Sequence, residues 1–572
     1  MPPQAGPSPR LGTDSFSLPA TGWLALLALM CLALAGLLYA LGAIPLLDVD
    51  EPRYAEAARQ MLVTGDWITP VFNGALRFDK PPLFYWLIAG CYQVLGVTEQ
   101  AARLPSALAA VGIGLGLVGF SRVALGRFLP GVLAATVWAT SLLPMGLARM
   151  SITDMTLCAC LTGTLMSLYA AAYQHPRWWL LAGLFAGLGL LAKGPVGVVL
   201  PGLILLTDTL WTRRWRPVFA TTYFPAAGLL ALALAAPWYG ANLQRHGQLF
   251  LDALFLHNIT RYQDVVSGHA QPWWFYSVVA LVGLLPWTAY LPLALRQCLA
   301  PGQHRAAGGK TPPLWRYLAL WAGGTFLFFQ VANTKLLTYI LPMFPAMALL
   351  LALAWETLLH TKADARAFGL ARWGALGTLL VLGGATLLAS WDFNRLLPSI
   401  VGPVSSLQAA LWSVLIPMLV GTAGAAWLLW RRPRPLLALA AQAGGMAASG
   451  LLIVALLLPR IAEATQSELL GILRQVGPRA ALVGFDLVRP SLTFYHRQPV
   501  PYLHPTDTAI LRRRVLASQP QGLYVLAKRK QEARLLAALE EAATAPDGGS
   551  RLRPRALRRG PRFVLYHVQA RP

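Results

Sequence analysis

The run WLALLALMCLALAGLLYALGAIPLL, residues 23–47, carries no charge. It is longer than the ~20 residues a helix needs to cross hydrocarbon. Comparable runs recur at 104–122, 128–147, 155–174, 178–192, 195–211, 217–236, 273–298, 314–331, 337–356, 368–390, 409–430 and 434–458. With the first taken as 22–47, they predict an all-α polytopic membrane bundle of about thirteen spans. A soluble fold is excluded. Of the 572 residues 56% are hydrophobic and only 12% charged, too much apolar surface for one water-facing globule to hide. Residues 1–21 are polar and lack a basic n-region, so the first run reads as a retained signal anchor behind a cytoplasmic tail.

The formal net charge of +24 would suggest nucleic acid in a soluble chain. Here its placement argues otherwise. The segments SRVALGR, WTRRWRP, HTKADARAFGLAR and RRPRP are basic and chemically plain, which puts them on the cytoplasmic side, and they also suit anionic membrane lipids. No nucleic-acid partner is expected. The chemically mixed segments then face outward. They include two long extracytoplasmic loops, at 48–103 and 237–272. PPLFYWLIAGCYQVLGV, residues 81–97, is short and opens on two prolines. Placing it along the interface keeps every basic loop on one side.

Beyond residue 458 the composition changes. RAALVGFD, SLTFYHRQPVPYL, QGLYVLAKR and RFVLYHV read as short strands, and LPRIAEATQSELLGILRQVG and QEARLLAALEEAA as helices. Residues 459–572 are therefore expected to form a small α/β domain outside the membrane. The run RLRPRALRRGPR reads as a solvated or headgroup-facing basic stretch.

The first outer loop concentrates chemistry. Asp48, Asp50, Glu51 and Arg53 stand where the first span leaves the bilayer, and Pro52 suits the first turn of the amphipathic helix that follows. The loop returns to the membrane at RFDKPPLFYW, bringing Asp79 and Lys80 to a second boundary. Solvated helix ends would account for Asp48. Acids and a lysine gathered at one membrane surface point instead to a site.

DEPRYAEAARQMLVTGDWITPVFNGALRFDKPPLFYW resembles the first outer loop of the bacterial 4-amino-4-deoxy-L-arabinose lipid A transferases. These belong to glycosyltransferase family 83 and are related to the protein O-mannosyltransferases. RLPSAL, ARMSITDM, LLAKGPVG, PWY, HNITRY, QPWWFY and TKLLTYILP follow in the family's order, so the likeness covers residues 45–345. One departure is FDKPP where the family has FEKPP, which shortens the acid's reach by one methylene.

The resemblance implies a GT-C fold with residues 22–458 as its catalytic domain. It implies an inverting transferase in the bacterial inner membrane, its site facing the periplasm. The donor would be undecaprenyl phosphate carrying a sugar, and the acceptor lipid A or another lipid. A departing polyprenyl phosphate needs positioned cations. The resemblance assigns this work to Lys80, Arg261 and Tyr339, with Lys335 and Arg53 as lesser contributors. Asp50, with Glu51 beside it, is expected to be catalytic. Asp50 would act as a base, orient a substrate or stabilise positive charge at the anomeric carbon. Asp79, Asp154 and His257 are expected to contact substrate. They are also the candidate ligands of a divalent ion, although scattered single ligands are a weak signal and no cofactor is required.

Three other readings stay open. The same chemistry could serve another polyprenyl-phosphate sugar or a protein or glycan acceptor. The chain could be a lipid-linked sugar transporter or flippase, though no duplicated halves are visible. It could be a non-catalytic receptor. GLGLVG, from Gly114 to Gly119, matches a dinucleotide fingerprint but lies inside a span, where glycines serve helix packing. Lys193, in LLAKGP, sits beside a chain breaker between two spans, either marking a turn at the outer face or sitting within a lipid-accessible cavity.

Overall fold

The computed structural model describes residues 18–260, 271–299, 314–359, 365–396, 404–431, 433–478, 480–544 and 551–571. The membrane region opens with α1 (Ala20–Leu38), followed by a surface helix, α2 (Asp50–Thr64). A two-stranded hairpin, β1 (Val71–Phe72) and β2 (Ala75–Leu76), leads to α3 (Leu83–Leu95). At 13 residues α3 falls below the ~20 needed to span. Next come α4 (Glu99–Leu125), α5 (Leu129–Ala139), α6 (Leu142–Leu147), α7 (Thr153–Tyr173), α8 (Trp178–Lys193), α9 (Val196–Thr212), α10 (Trp215–Phe219), α11 (Tyr223–His246) and α12 (Gln248–Phe255). Helices Phe275–Gly283, Leu291–Leu299, Leu314–Val331, Phe344–Leu359, Ala365–Leu396, Val404–Trp430 and Pro435–Leu452 complete the bundle.

Helices overlie all the predicted apolar runs, but the count of about thirteen is not reproduced. Among the described residues, eight helices are long and apolar enough to cross, or nine if the pair Phe275–Gly283 and Trp287–Leu299, bent by 99°, is one span. α5, α8 and α9 are apolar but shorter. The predicted run 128–147 is likewise broken, into α5 and α6 around Thr140 and Ser141.

Burial sorts the spans. α7 and Phe344–Leu359 are enclosed along nearly their whole length, whereas α1 and α11 expose rows of leucine, as lipid-facing helices do. Close approaches fix the bundle around α8. A Cβ on Gly183 would lie 2.4 Å from the Ala227 carbonyl of α11, and one on Gly163 of α7 would lie 2.6 Å from the Phe185 ring of α8. The predicted packing role of GLGLVG holds at Gly114, where a Cβ would come within 2.6 Å of Leu34, but Gly119 faces open space.

The chain beyond the membrane is a small α/β domain. Its five strands are β3 (Leu482–Phe485), β4 (Tyr502–Leu503), β5 (Leu523–Lys528), β6 (Arg551–Arg559) and β7 (Phe563–Arg571), in the order β4-β3-β5-β7-β6. β3 pairs parallel with β4 and β5, while β7 runs antiparallel to β5 and β6. Alternate residues divide between the faces. Val483, Phe485, Val525 and Ala527 pack on helices Thr508–Ala517 and Glu532–Thr544. Leu482 and Leu526 pack on Leu458–Val476, the helix that carries the chain out of the bundle.

One expectation is corrected here. SLTFYH is helical, within Pro490–His496, because Pro490 suits a first turn and Asp48 of the distant first loop accepts from the Ser491 N–H at 2.9 Å. The basic run RLRPRALRR, expected as a solvated or headgroup-facing stretch, is the largely exposed edge strand β6, which Pro554 and its arginines protect from further pairing.

Candidate active site

The ends of α1, α8 and α11 and the starts of α4, α7 and α9 meet on one side of the bundle, where α2 and the hairpin lie across them. Asp50 is the first residue of α2 and its side chain is 66% exposed, with Arg53 Nη1 3.8 Å away. One turn further, Tyr54 is buried against Phe84 and Tyr85, and the Arg77 guanidinium sits 5.5 Å from its ring centroid. Burial lifts the Tyr54 hydroxyl well above its usual pKa, and the carboxylates of Asp79 and Asp154 add to the rise. Residues four apart share a helix face. Asp50 therefore stands one turn along α2 from a ring that senses both other acids.

Asp79 lies among cations. Its carboxylate is 2.8 Å from Arg77 Nη2, 3.2 Å from Lys80 Nζ and 3.2 Å from His257 Nδ1. Burial alone would raise its pKa, but Lys80, Arg77 and His257 outweigh it and hold the acid well below the usual carboxylate range. Lys80 Nζ also donates to the Asp79 carbonyl at 2.8 Å, which fixes the ammonium in place.

A second pair faces this cluster. Asp154, in the first turn of α7, accepts from Lys193 Nζ at 2.6 Å, and the same ammonium lies 4.1 Å from the centroid of the Tyr339 ring. Lys193 ends α8, where Gly194, at φ 80°, turns the chain into α9. Asp79, Lys80, Lys193, His257, Thr334 and Tyr339 line one cavity of about 360 Å³, whose remaining wall is apolar and includes Trp238, Val199 and Phe328. Cations thus meet an apolar chamber, a combination suited to a phosphate carrying a hydrocarbon tail.

The other sequence candidates fall elsewhere. Lys335 is buried and donates to the Ala332 carbonyl at 2.7 Å, without lining the cavity. Arg261 lies outside the described residues. Glu51 is buried beside the exposed Asp50, its oxygens 2.8 Å from the Arg103 guanidinium; this is the geometry of a positioning group. Asp79 and His257 are adjacent, while Asp154 is engaged by Lys193; among the described residues no three His, Cys, Asp or Glu converge as a metal site would require. Sequence reasoning assigned no role to Arg77 or Arg103, and left Lys193 open between an outer-face turn and the lipid-accessible cavity where it lies. Only Lys193 carried a signal, its position against Gly194 and Pro195.

The profile of the dolichyl-phosphate-mannose-protein mannosyltransferase family matches residues 79–240. The chain is similar to undecaprenyl phosphate-alpha-4-amino-4-deoxy-L-arabinose arabinosyl transferases. The relative from Aeromonas salmonicida is 34% identical over 352 residues, 60% of this chain and 62% of the relative. The one from Edwardsiella ictaluri is 31% identical over 354 residues, again 60% and 62%. The matches thus span somewhat under two thirds of these relatives' length. The crystal structure of ArnT from Cupriavidus metallidurans bound to undecaprenyl phosphate superposes with a TM-score of 0.75 at 23% identity, covering 96% of this chain and 98% of that one. The fold, including the C-terminal domain, is that of ArnT.

Proposed function

We propose that the chain is an inverting glycosyltransferase that moves 4-amino-4-deoxy-L-arabinose from undecaprenyl phosphate to lipid A at the periplasmic face of the inner membrane. The observation that carries this reading is the cavity in which Lys80 and Lys193 stand over an apolar wall. The polyprenyl chain lies along that wall. As the bond from the anomeric carbon to the phosphate oxygen breaks, charge gathers on the phosphate and the two ammonium groups offset it. Tyr339 adds a further phosphate contact, and Arg261 is the other cation that the sequence resemblance assigns to the phosphate.

The acceptor approaches the opposite face of the sugar. If the acceptor is a phosphate, it is already ionised near neutral pH and needs no base. Asp50 then orients the acceptor or stabilises the positive charge of an oxocarbenium-like transition state. A second cavity, of about 540 Å³ and almost wholly apolar, lies between α6, Phe275–Gly283 and the Ile453–Leu458 region, with Arg103 and Arg149 among its lining. It fits the acyl chains of a lipid acceptor. Capping an acceptor phosphate with an aminosugar lowers surface negative charge, which weakens cationic peptides such as polymyxin.

The test is mass spectrometry of lipid A from cells that make the lipid-linked aminosugar but lack their own transferase. Expression of this chain is expected to add the pentosamine mass. No added mass, with the protein correctly inserted and donor present, would overturn the assignment of sugar and acceptor.

A further inference from the structure

Arg103 sits four residues into α4, is 3% exposed and reaches toward the surface helix α2. A guanidinium has five N–H groups. Here each has an acceptor. Nε donates to Glu51 Oε1 at 2.8 Å and Nη2 to Glu51 Oε2 at 2.8 Å. Nη1 donates to the carbonyls of Leu41 and Ile44, both at 2.8 Å, and Nη2 also to that of Pro45 at 2.9 Å. Glu51 in turn accepts from the Leu47 N–H at 2.8 Å and the Ser151 N–H at 2.7 Å. One buried ion pair thereby joins the connection leaving α1, the first turn of α2, α4 and the segment before α7.

The linkage runs on to the cavity. Ser151 Oγ donates to the Ala102 carbonyl at 2.8 Å, and Thr153 Oγ1 to the Ala192 carbonyl at 2.9 Å. The residues next along the chain are Asp154 and Lys193, which pair at 2.6 Å. On the other side of the hub, Glu51 is followed back by Asp50. The exposed acid is thus one residue from Glu51, while Asp154 lies three residues beyond the held Ser151 and Lys193 follows the Ala192 that Thr153 holds.

We infer that Arg103 is a positioning residue for the proposed transfer, setting Asp50 in register with the Asp154–Lys193 pair through Glu51 and Ser151. The inference rests on the proposed transferase reading. Partner number as well as charge decides it. A lysine keeps the charge but has three donors on a flexible stem, so it cannot hold both carboxylate oxygens and three carbonyls. Misplacing reacting groups by ~1 Å can cost on the order of 100-fold in rate.

Two measurements on the full-length protein in lipid nanodiscs test this. In kinetics with the lipid-linked donor, Arg103→Lys is expected to lower kcat by about 100-fold while the donor KM stays within about threefold, because the cavity cations are untouched. Glu51→Asp, which keeps the charge but shortens the reach, should show the same split if Arg103→Lys does not fold. A KM rising as steeply as kcat falls, or an unchanged kcat, would overturn the inference. The second measurement needs no turnover. Amide exchange at Leu47 and Ser151 should rise together in either variant while Arg77, whose N–H donates to the Pro70 carbonyl at 2.8 Å, keeps its protection. A coupled rise in the variants, beside a wild-type protein that transfers no sugar, would sink the transferase reading and leave the hub standing. Uncoupled exchange would sink the hub.

Discussion

Lys193 closes α8 with its ammonium 2.6 Å from the carboxylate of Asp154, the acid that opens α7. The pair sets two helix ends against each other on the wall of the cationic cavity. Asp154 holds Lys193 in place and removes part of its charge. Lys193→Ala is therefore expected to weaken undecaprenyl phosphate binding, and Asp154→Asn to alter donor affinity far less than turnover. Removing one such charged contact should reduce turnover by about 100-fold or more. Binding titration beside steady-state kinetics separates the two effects.

Lys80 is held by both the backbone and the side chain of Asp79. Its place in the cavity depends on a point charge at the end of a four-carbon stem that Asp79 braces. Lys80→Arg keeps the charge but needs room for a planar fork. It should restore only part of the donor affinity lost in Lys80→Ala, again measured by undecaprenyl phosphate titration.

The Asp79 carboxyl gives a pH prediction. Its pKa in the folded protein is held below the usual carboxylate value. A depressed acid contributes stability that is fully present above its unfolded pKa of about 3.9 and is lost as pH falls through the folded value. From pH 5 to 8 Asp79 stays ionised. Imidazoles titrate in that window, and that of His257 lies 3.2 Å from Asp79, so both proteins are compared with His257→Gln in place; the difference in donor affinity between Asp79 and Asp79→Asn should then be flat. A difference that vanishes at pH 5 would show that Asp79 takes up a proton there.

Asp48 ties the first loop to the C-terminal domain. Its carboxylate accepts from the Ser491 N–H at 2.9 Å and the Ser491 hydroxyl at 2.5 Å, with Arg489 at 3.4 Å. Nearby, Asn73 bonds the backbone of Val500 in both directions, at 2.7 and 2.9 Å. Asp48→Ala leaves a part-buried N–H without its acceptor, a loss of roughly 1–3 kcal/mol. Thermal unfolding should drop, and limited proteolysis should cut sooner near residues 489–500.

Much of this was legible in the sequence, and the rest has physical causes. The apolar runs marked the bundle because lipid demands them. Pro52 and the acids before it marked the start of α2. Neighbouring helical positions differ by about 100°, so of two adjacent acids Asp50 faces out while Glu51 turns to Arg103. No pattern distinguishes them until the tertiary partner is known. Arg103 was hidden for the same reason, its carbonyl acceptors lying some 60 positions back along the chain. The SLTFYH segment has strand-like residues, yet Pro490 and a cap from Asp48 make it a helix. The arginines of β6 masked its strand character because charge at a sheet edge resembles charge in a loop.

The central claim is that the Lys80–Lys193 cavity holds the phosphate of a polyprenyl donor while Asp50 serves the transfer. It is tested most directly by measuring undecaprenyl phosphate binding and sugar transfer side by side in wild type, Asp50→Asn and Lys80→Ala. The account predicts that Asp50→Asn binds as wild type does and transfers nothing detectable, and that Lys80→Ala loses binding. Full transfer by Asp50→Asn, or undiminished binding by Lys80→Ala, would contradict it.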